Sequence, residues 1–462
     1  LRHNRSRDLP GEDNWRTMRT PHRLAALTAL TSLTTLALAA SPAPATAQET
    51  ARSGDLSVLS YNIAGLPLGL GDGDPETNTP IIGSRLGSYD IVHVQEDFNY
   101  HAALYAADDH PHRTATSGGV PFGDGLNTLS DMPFEDFERV AWDDCASGSG
   151  DCLTPKGFTF MRARLAEGVW VDLYNLHTDA GSEAADIAAR AKNLAQVSAF
   201  MDAHSAGNAV IIYGDTNTRY TRVGDGIADF AADNGLTDAW VEQIRGGDAP
   251  NEGDEALVCD DATVDADCEV VDKVLYRSGD HVRLDAGQYR NDHAAFRDGA
   301  GENLSDHYPI AVDFAWSTGA DFTLSDQFGG PHGDFFTDVN DLDAGDAASV
   351  LRLRAGTRVD MIGATLADGT VLNHGGSGGT LSELALAAGE YPVSLQLCRA
   401  ESDGHTRIFY ARFTTSTGRT LAGGTTTGDC TTYTAPTGWQ ITGFHGRAGA
   451  ELDKVGLVYT RR

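Results

Sequence analysis

The chain has 462 residues, is 41% hydrophobic, contains 52 glycines and carries a formal net charge of −32. That length accommodates two or three domains, and that apolar content excludes a disordered chain. The negative charge excludes an electrostatic footprint for DNA; it favours divalent cations and keeps an exported protein soluble.

In chain order the first feature is an export signal. Arg19 and Arg23 precede an apolar run from Leu24 to Ala40, and Ala45-Thr46-Ala47 supplies an A-x-A site. Residues 18–47 therefore read as a secretory signal peptide, which implies a secreted, extracellular protein. The run is too short and too rich in threonine for a membrane span. Residues 1–17 have no place in such a signal and are expected to be a mis-called start ahead of Met18. Six cysteines fit export, and their spacing favours the local pairs Cys145–Cys152, Cys259–Cys268 and Cys398–Cys430. None has the two-by-two spacing of a zinc site.

The segment from Leu56 to Ile63 reads as a strand broken at Gly65 and Pro67, and a glycine-rich acidic loop follows. The next strand covers Asp90–Glu96. Phe158–Leu165 and Val169–His177 form a pair turning at Glu167-Gly168. Ser182 is expected to cap a helix in which Ile187, Ala191, Leu194, Val197 and Met201 recur at helical spacing before Gly207 stops it. Val210-Ile211-Ile212-Tyr213 is a buried strand that ends in Gly214-Asp215-Thr216-Asn217. Val270–Tyr276 carries Asp272, and Ser305-Asp306-His307 opens the last strand of the region, which runs to Phe314. The mixture predicts a layered α/β enzyme with its site at one edge of the sheets. From residue 321 onward short alternating strands and glycine turns predict an all-β domain.

Eight polar residues fall at strand ends: Asn62, Glu96, His177, Asp215, Asn217, Asp272, Asp306 and His307. Turn chemistry explains one or two such residues, not eight. Hard oxygen donors suit Mg²⁺, and two imidazoles suit an acid and a base; metal-assisted phosphoester hydrolysis uses both.

The motifs Tyr61-Asn62, Gln95-Glu96, Asn175-Leu176-His177, Gly214–Asn217, Asp272-Lys273 and Ser305–His307 together resemble the endonuclease/exonuclease/phosphatase superfamily, over residues 55–316. The resemblance implies a four-layer α/β sandwich of the DNase I type. It also implies roles. Glu96 would hold the metal with Asn62 beside it: Mg²⁺, with Mn²⁺ or Co²⁺ as alternatives. His307 would be the general base oriented by Asp272, and Asp215 and Asn217 would position the attacking water or a second ion. His177 would contact the phosphoryl oxygens, with Asp306 in support. Asp151-Cys152-Leu153-Thr154-Pro155-Lys156-Gly157 is similar to the D-x₄-K-G signature of neutral sphingomyelinases and bacterial sphingomyelinase C. It implies Asp151 and Lys156 as substrate-binding residues and a phospholipid head group as substrate. Those enzymes carry adjacent exposed aromatics before the final motif; residues 277–303 offer only Tyr289 and Phe296, so membrane contact by that route is weakly supported.

Residues 321–462 resemble jacalin-like lectins, which fold as an all-β prism. Phe328–Gly333 is similar to the opening glycine loop, Gly375–Gly379 to a second, and Gly443–Asp453 to the closing motif. The resemblance implies a glycan pocket formed by Gly330, Gly449, Ala450, Glu451 and Asp453, with Asp453 accepting from two hydroxyls. The expectation is a secreted Mg²⁺-dependent phosphodiesterase tethered to a glycan-binding module. The alternatives are an extracellular endonuclease or an inositol-phosphate phosphatase on the same scaffold, or a lectin whose α/β domain is not catalytic.

Overall fold

The structure is a computed structural model that describes residues 52–71, 73–118, 123–148 and 150–462. The expected signal segment 18–47 and the stretch 1–17 lie outside the described residues. In chain order the first strands are β1 (Ser53–Asn62), β2 (Ile91–Gln95), β3 (His112–Arg113), β4 (Asn127–Ser130), β5 (Phe134–Ala141) and β6 (Gly157–Ala166). They continue with β7 (Val169–Leu176), β8 (Val210–Asp215), β9 (Thr237–Asp238), β10 (Asp272–Arg277), β11 (Val282–Asn291) and β12 (Ile310–Thr318). One six-stranded sheet runs β11-β12-β1-β2-β4-β3 and the other β5-β6-β7-β8-β10-β9.

Alternation along the strands sorts side chains between two layers. In β1, Leu56 and Val58 enter the core between the sheets, whereas Leu59 and Tyr61 pack outward under α1 (Pro75–Gly83) and α2 (His101–Ala107). On the far side, α3 (Ala184–His204) lays Leu194, Val197 and Met201 on the second sheet. It begins just past the expected Ser182 cap, because the Glu183 N–H donates to Asp186 Oδ2 at 3.0 Å. The result is the expected four-layer α/β sandwich of the DNase I type. No helix among the described residues is long and apolar enough to cross a membrane.

The sheets are joined by polar contacts as well as by apolar packing. Gln95 Nε2 donates to Asn175 Oδ1 at 2.8 Å, and Asn175 Nδ2 donates to the Val94 carbonyl at 3.0 Å. His93 stacks on Tyr213 with ring centroids 3.6 Å apart. The three expected disulfides are present.

The second domain is all-β. Its strands are β13 (Phe322–Leu324), β14 (Phe328–Gly329), β15 (Asp334–Thr337), β16 (Ala348–Ala355), β17 (Val359–Leu366), β18 (Val371–Gly375) and β19 (Thr380–Ala385). Then come β20 (Pro392–Ser402), β21 (His405–Thr415), β22 (Thr420–Gly424), β23 (Asp429–Thr434), β24 (Trp439–Ala448) and β25 (Leu452–Arg461). Three sheets, β13-β25-β24-β15, β18-β17-β16-β19 and β22-β21-β20-β23, enclose one core that includes Leu353, Phe413 and Phe444.

The two domains are joined by an interface of ion pairs. Arg164 forks onto Asp326 at 3.0 and 2.8 Å, and Asp326 also accepts from the Gly168 N–H. The edge strand β5 bulges between Glu135 and Glu138, where Asp136 takes a φ of 55°. There Lys454 Nζ reaches Glu135 and Asp136, each at 2.9 Å, and Arg447 reaches Glu138 at 3.0 Å.

Burial holds the His93 imidazole neutral, lowering its pKa from 6.5 to about 3. The unfolded chain therefore binds this proton first, and stability falls as pH drops from 6.5 towards 3, by about 1.4 kcal/mol per unit. His93→Phe keeps the stack on Tyr213 and removes the titration. Its acid-unfolding midpoint, followed by circular dichroism, should move to lower pH than that of the native chain.

Candidate active site

The strand directions explain why the polar strand ends converge. β1 and β2 run parallel, as do β7 and β8, so all four can end at one edge; β12 and β10 run antiparallel to them and start there. Asn62 and Asp215 close β1 and β8, Asp272 opens β10, and Glu96, His177 and His307 lie just beyond their strands. Asp272 and Asp215 are direct partners across the ladder. Gly214 is required where β8 meets β7, since a Cβ there would lie 2.2 Å from the Leu176 carbonyl oxygen. Glu96 and Asn217 take left-handed φ values of 57° and 48°, unusual for residues with a side chain and a local strain at the site.

His307 Nδ1 lies 3.0 Å from Asp272 Oδ2, and its Nε2 lies 3.8 Å from Asp215 Oδ2. His177 Nε2 lies 3.3 Å from the same Asp215 oxygen and 3.9 Å from Glu96 Oε1. Asn62 Nδ2 donates to Glu96 Oε1 and to Asp215 Oδ2, each at 3.1 Å. Asn62 thus turns its amide nitrogen, not its oxygen, to the carboxylates; the oxygen accepts from the Ala64 N–H at 3.0 Å. The Asn217 N–H donates to Asp215 Oδ1 at 2.9 Å. Lys156 pairs with Asp151 and lines the same cavity as Glu96. Asp306 is exposed and lines a second cavity with Asp272 and His307.

Burial pushes the Glu96 carboxyl above the usual range. Burial works the same way on Asp215, but the imidazoles of His307 and His177 outweigh it and hold the carboxyl below its ordinary value. Burial opposes the charge on His307 as well, yet Asp272 and Asp215 raise its pKa well above 6.5. His177 is held neutral, at about 3, by burial and then by the Lys156 ammonium.

The donor set fits a hard divalent cation. Three carboxylates crowd two imidazoles, and Asp272 Oδ1 and His177 Nδ1 are buried atoms with no hydrogen-bond partner. Ligand atoms of Asp215, Asp272 and His307 all lie within 4.8 Å of one another. The other cluster of this kind, Cys259, Asp265 and Cys268, has its two sulfurs in a disulfide.

Further contacts hold the site in place. Trp142 Nε1 donates to the His177 carbonyl at 2.8 Å, and Ser305 Oγ donates to the Asn62 carbonyl at 2.6 Å. Beside Glu96 opens a cavity of about 520 Å³ whose apolar wall is Leu66, Leu70, Phe98 and Leu153. Leu68, Leu70 and Leu153 are 56%, 63% and 80% exposed, so this wall continues onto the surface. Its signal was the alternation Gly65-Leu66-Pro67-Leu68-Gly69-Leu70, which is apolar rather than acidic.

The expected glycan residues also meet. The Gly330 N–H donates to the Asp453 carbonyl at 2.9 Å, and the Gly449 N–H to the Glu451 carbonyl at 2.9 Å. Ala450 lies between them in the β24–β25 turn. Asp453 is buried, with Arg407 Nε 3.5 Å from its carboxylate, and the Glu451 side chain is engaged by Arg358 and Arg407.

Residues 79–265 match the family model for endonuclease/exonuclease/phosphatase family 2, and residues 325–458 match that for the jacalin-like lectin domain. The chain carries an endonuclease/exonuclease/phosphatase domain and a jacalin-like lectin domain. The sphingomyelinases of Mycobacterium bovis and Mycobacterium tuberculosis are 42% identical over 271 residues, 57% of this chain and 53% of theirs. The chain thus spans about half the length of the curated relatives it matches. Among solved structures, sphingomyelinase C from Streptomyces griseocarneus is 22% identical over 56% of this chain and 99% of its own, with a TM-score of 0.38. Malaysian banana lectin is 26% identical over 30% of this chain and 99% of its own, with a TM-score of 0.27.

Asn62→Asp places a third carboxylate between Glu96 and Asp215. In EDTA the variant should lose about 3 kcal/mol of stability, on the scale of an uncompensated buried charge. Mg²⁺ should then raise its melting temperature by more than it raises that of the native chain, as scanning calorimetry would show.

Proposed function

We propose that the endonuclease/exonuclease/phosphatase domain is a divalent-metal-dependent phosphodiesterase acting on an amphiphilic phosphodiester of the sphingomyelin type. The observation that carries this reading is His307 held between two buried carboxylates, Asp272 and Asp215, at an edge shared with Glu96 and His177. The two carboxylates that raise the His307 pKa would be partly neutralised with a cation on Asp215, so that His307, with Nδ1 on Asp272, presents a free Nε2 to take a proton from an attacking water. The water oxygen bonds to phosphorus as the ester bond to the alcohol breaks, and the leaving oxygen takes up a proton. His177, neutral and anchored through its carbonyl by Trp142, offers a hydrogen bond to a phosphoryl oxygen. Lys156, paired with Asp151, supplies positive charge for the phosphodiester on the other side of the cavity. Glu96, with Asp215, would hold the cation, Mg²⁺ or else Mn²⁺ or Co²⁺, which neutralises charge building on the phosphoryl oxygens.

An amphiphilic substrate is favoured over DNA by two features. The leucine-lined wall beside Glu96 suits an aliphatic group, and a chain with a net charge of −32 repels a polyanion. The relatives named sphingomyelinase agree with that choice. We also infer that the protein is exported, since three disulfides persist in an oxidising compartment, and that the loop ending at Asp453 binds a glycan.

The full chain should be assayed in parallel on sphingomyelin vesicles, phosphatidylcholine vesicles and plasmid DNA, with each divalent ion and with EDTA. Sphingomyelin should be hydrolysed only with a divalent ion, and His307→Ala should lower kcat by about 10²–10⁴-fold. Plasmid cleavage without lipid hydrolysis would replace the substrate, and full activity in EDTA would remove the metal. Glycan binding with no phosphodiester cleaved would leave a lectin on an inert scaffold.

A further inference from the structure

Beside His307 opens a cavity of about 310 Å³, within the range of small-ligand pockets. Asn217, Arg219, Arg222, Asp306, His307 and Tyr308 line it. It shares no lining residue with the leucine-walled cavity; one reaches the strand-end site at His307 and the other at Glu96. The leucine wall suits the aliphatic end of an amphiphilic phosphodiester. The head group on the same phosphorus needs a different seat.

The loop after β8 builds this second cavity around one buried carboxylate. Asp225 accepts from the Arg219 N–H at 2.7 Å, from Arg222 Nε at 2.6 Å and from Arg190 Nη2 at 2.6 Å. Arg222 also donates to the Asn217 carbonyl. These contacts fix the backbone from Asn217 to Asp225 and leave the Arg219 side chain to the cavity. Tyr308 Oη donates to Asp261 Oδ1 at 2.5 Å, which ties the segment after His307 to the loop closed by Cys259–Cys268.

Arg219 is the group left over. Among the described residues its guanidinium makes no hydrogen bond and no ion pair, and its Nη1 is buried. The opposite charges that act on it are Glu269, Asp225 and Asp272, and each has partners of its own. Glu269 accepts from the Tyr220 N–H and, at 2.8 Å, from Thr221 Oγ1; Asp225 holds Arg190 and Arg222; Asp272 faces His307. Arg222 adds a like charge. A guanidinium offers a planar fork of N–H donors that matches a carboxylate, and one left unpaired in a half-buried cavity is costly until an oxyanion reaches it. Of the charged residues that line the cavity, Asp306 alone is exposed among the described residues, and it suits a cation beside that oxyanion.

We propose that this cavity is a head-group pocket and that it selects a head group carrying a carboxylate beside an ammonium, as in a phosphoserine ester. The inference rests on the phosphodiesterase reading of the neighbouring site. The carboxylate takes the Arg219 fork, the ammonium faces Asp306, and the phosphorus stays at His307. A choline or ethanolamine head group satisfies Asp306 and leaves Arg219 unpaired.

Isothermal titration calorimetry of the full chain in Mg²⁺ with phosphoserine, phosphocholine and phosphoethanolamine should find phosphoserine about tenfold tighter than the other two, the scale of one charge-assisted contact. Arg219→Gln and Arg219→Met should bring phosphoserine to the level of phosphoethanolamine, and Arg219→Lys should keep part of the preference. Without ligand, Arg219→Met should melt no lower than the native chain, because the guanidinium it removes has no partner. A lower melting temperature in both neutral variants would make Arg219 a structural residue and overturn the inference. Equal affinity for the three phosphates, or a phosphoserine preference that survives in Arg219→Met, would overturn it too, and sphingomyelin hydrolysis in the same preparation would leave the phosphodiesterase reading standing. An Arg219-dependent phosphoserine preference with no hydrolysis of sphingomyelin, phosphatidylcholine or phosphatidylserine vesicles would overturn the phosphodiesterase reading and uphold the ligand assigned to the pocket.

Discussion

Two carboxylates, Asp215 and Asp272, lie side by side on neighbouring strands with almost no access to water. Burying one carboxylate without a partner costs several kcal/mol, and burying two together adds their mutual repulsion. Much of the surrounding structure answers that cost. His307 stands against both, His177 stands against Asp215 from the other side, and the Asn62 amide spans Asp215 and Glu96. Among the described residues Asp272 Oδ1 still has no hydrogen-bond partner, so the charge is compensated only in part. A binding site for a cation or a phosphate ester is charge arranged in this way and left incomplete.

Holding that arrangement requires the two sheets to keep one register. Apolar packing alone tolerates sliding; directional contacts do not. Gln95 and Asn175 exchange such a contact across the interior, and each lies one or two residues before a site residue, Glu96 or His177. His93 and Tyr213 add a stacked pair two residues before Gln95 and Asp215. The positioning network and the chemical residues Glu96, His177 and Asp215 therefore share the same three strand ends, those of β2, β7 and β8, and a shift in one moves the other.

This explains what was legible in the sequence. Buried strands ending in polar residues marked β1, β2, β7, β8 and β10, and order along the chain supplied the assembly. The strand boundaries moved by a few residues, as at Val270–Tyr276, which begins at Asp272. What stayed hidden depended on three-dimensional pairing. The Asn62 side chain reads as a ligand in a motif but acts as a donor between two carboxylates. The leucines at 66 and 70 read as a loop, since nothing local reveals that Leu153, over eighty residues later, completes their wall. The capping box that starts α3 at Ala184 displaced the Ser182 cap by competing for the same N–H groups. In the second domain two glycine loops were visible in the sequence.

The interface between the domains was invisible for the same reason, and it changes what the fusion can do. Lys454 follows Asp453 directly, and its ammonium is bound to Glu135 and Asp136 on β5, the edge strand of the second α/β-domain sheet. Arg447, at the other end of the same hairpin, is bound to Glu138. The hairpin that leads to Asp453 is thus anchored at both strands to the other domain. A flexible linker lets a binding module sample many orientations, so its advantage is an averaged local concentration. Here the orientation is fixed, and under the proposed reading avidity would depend on geometry: a glycan bound on that hairpin would set where the strand-end site points. A surface that offered sugar and phosphodiester in the matching arrangement would then gain the full benefit, and one that offered them in any other arrangement would gain none.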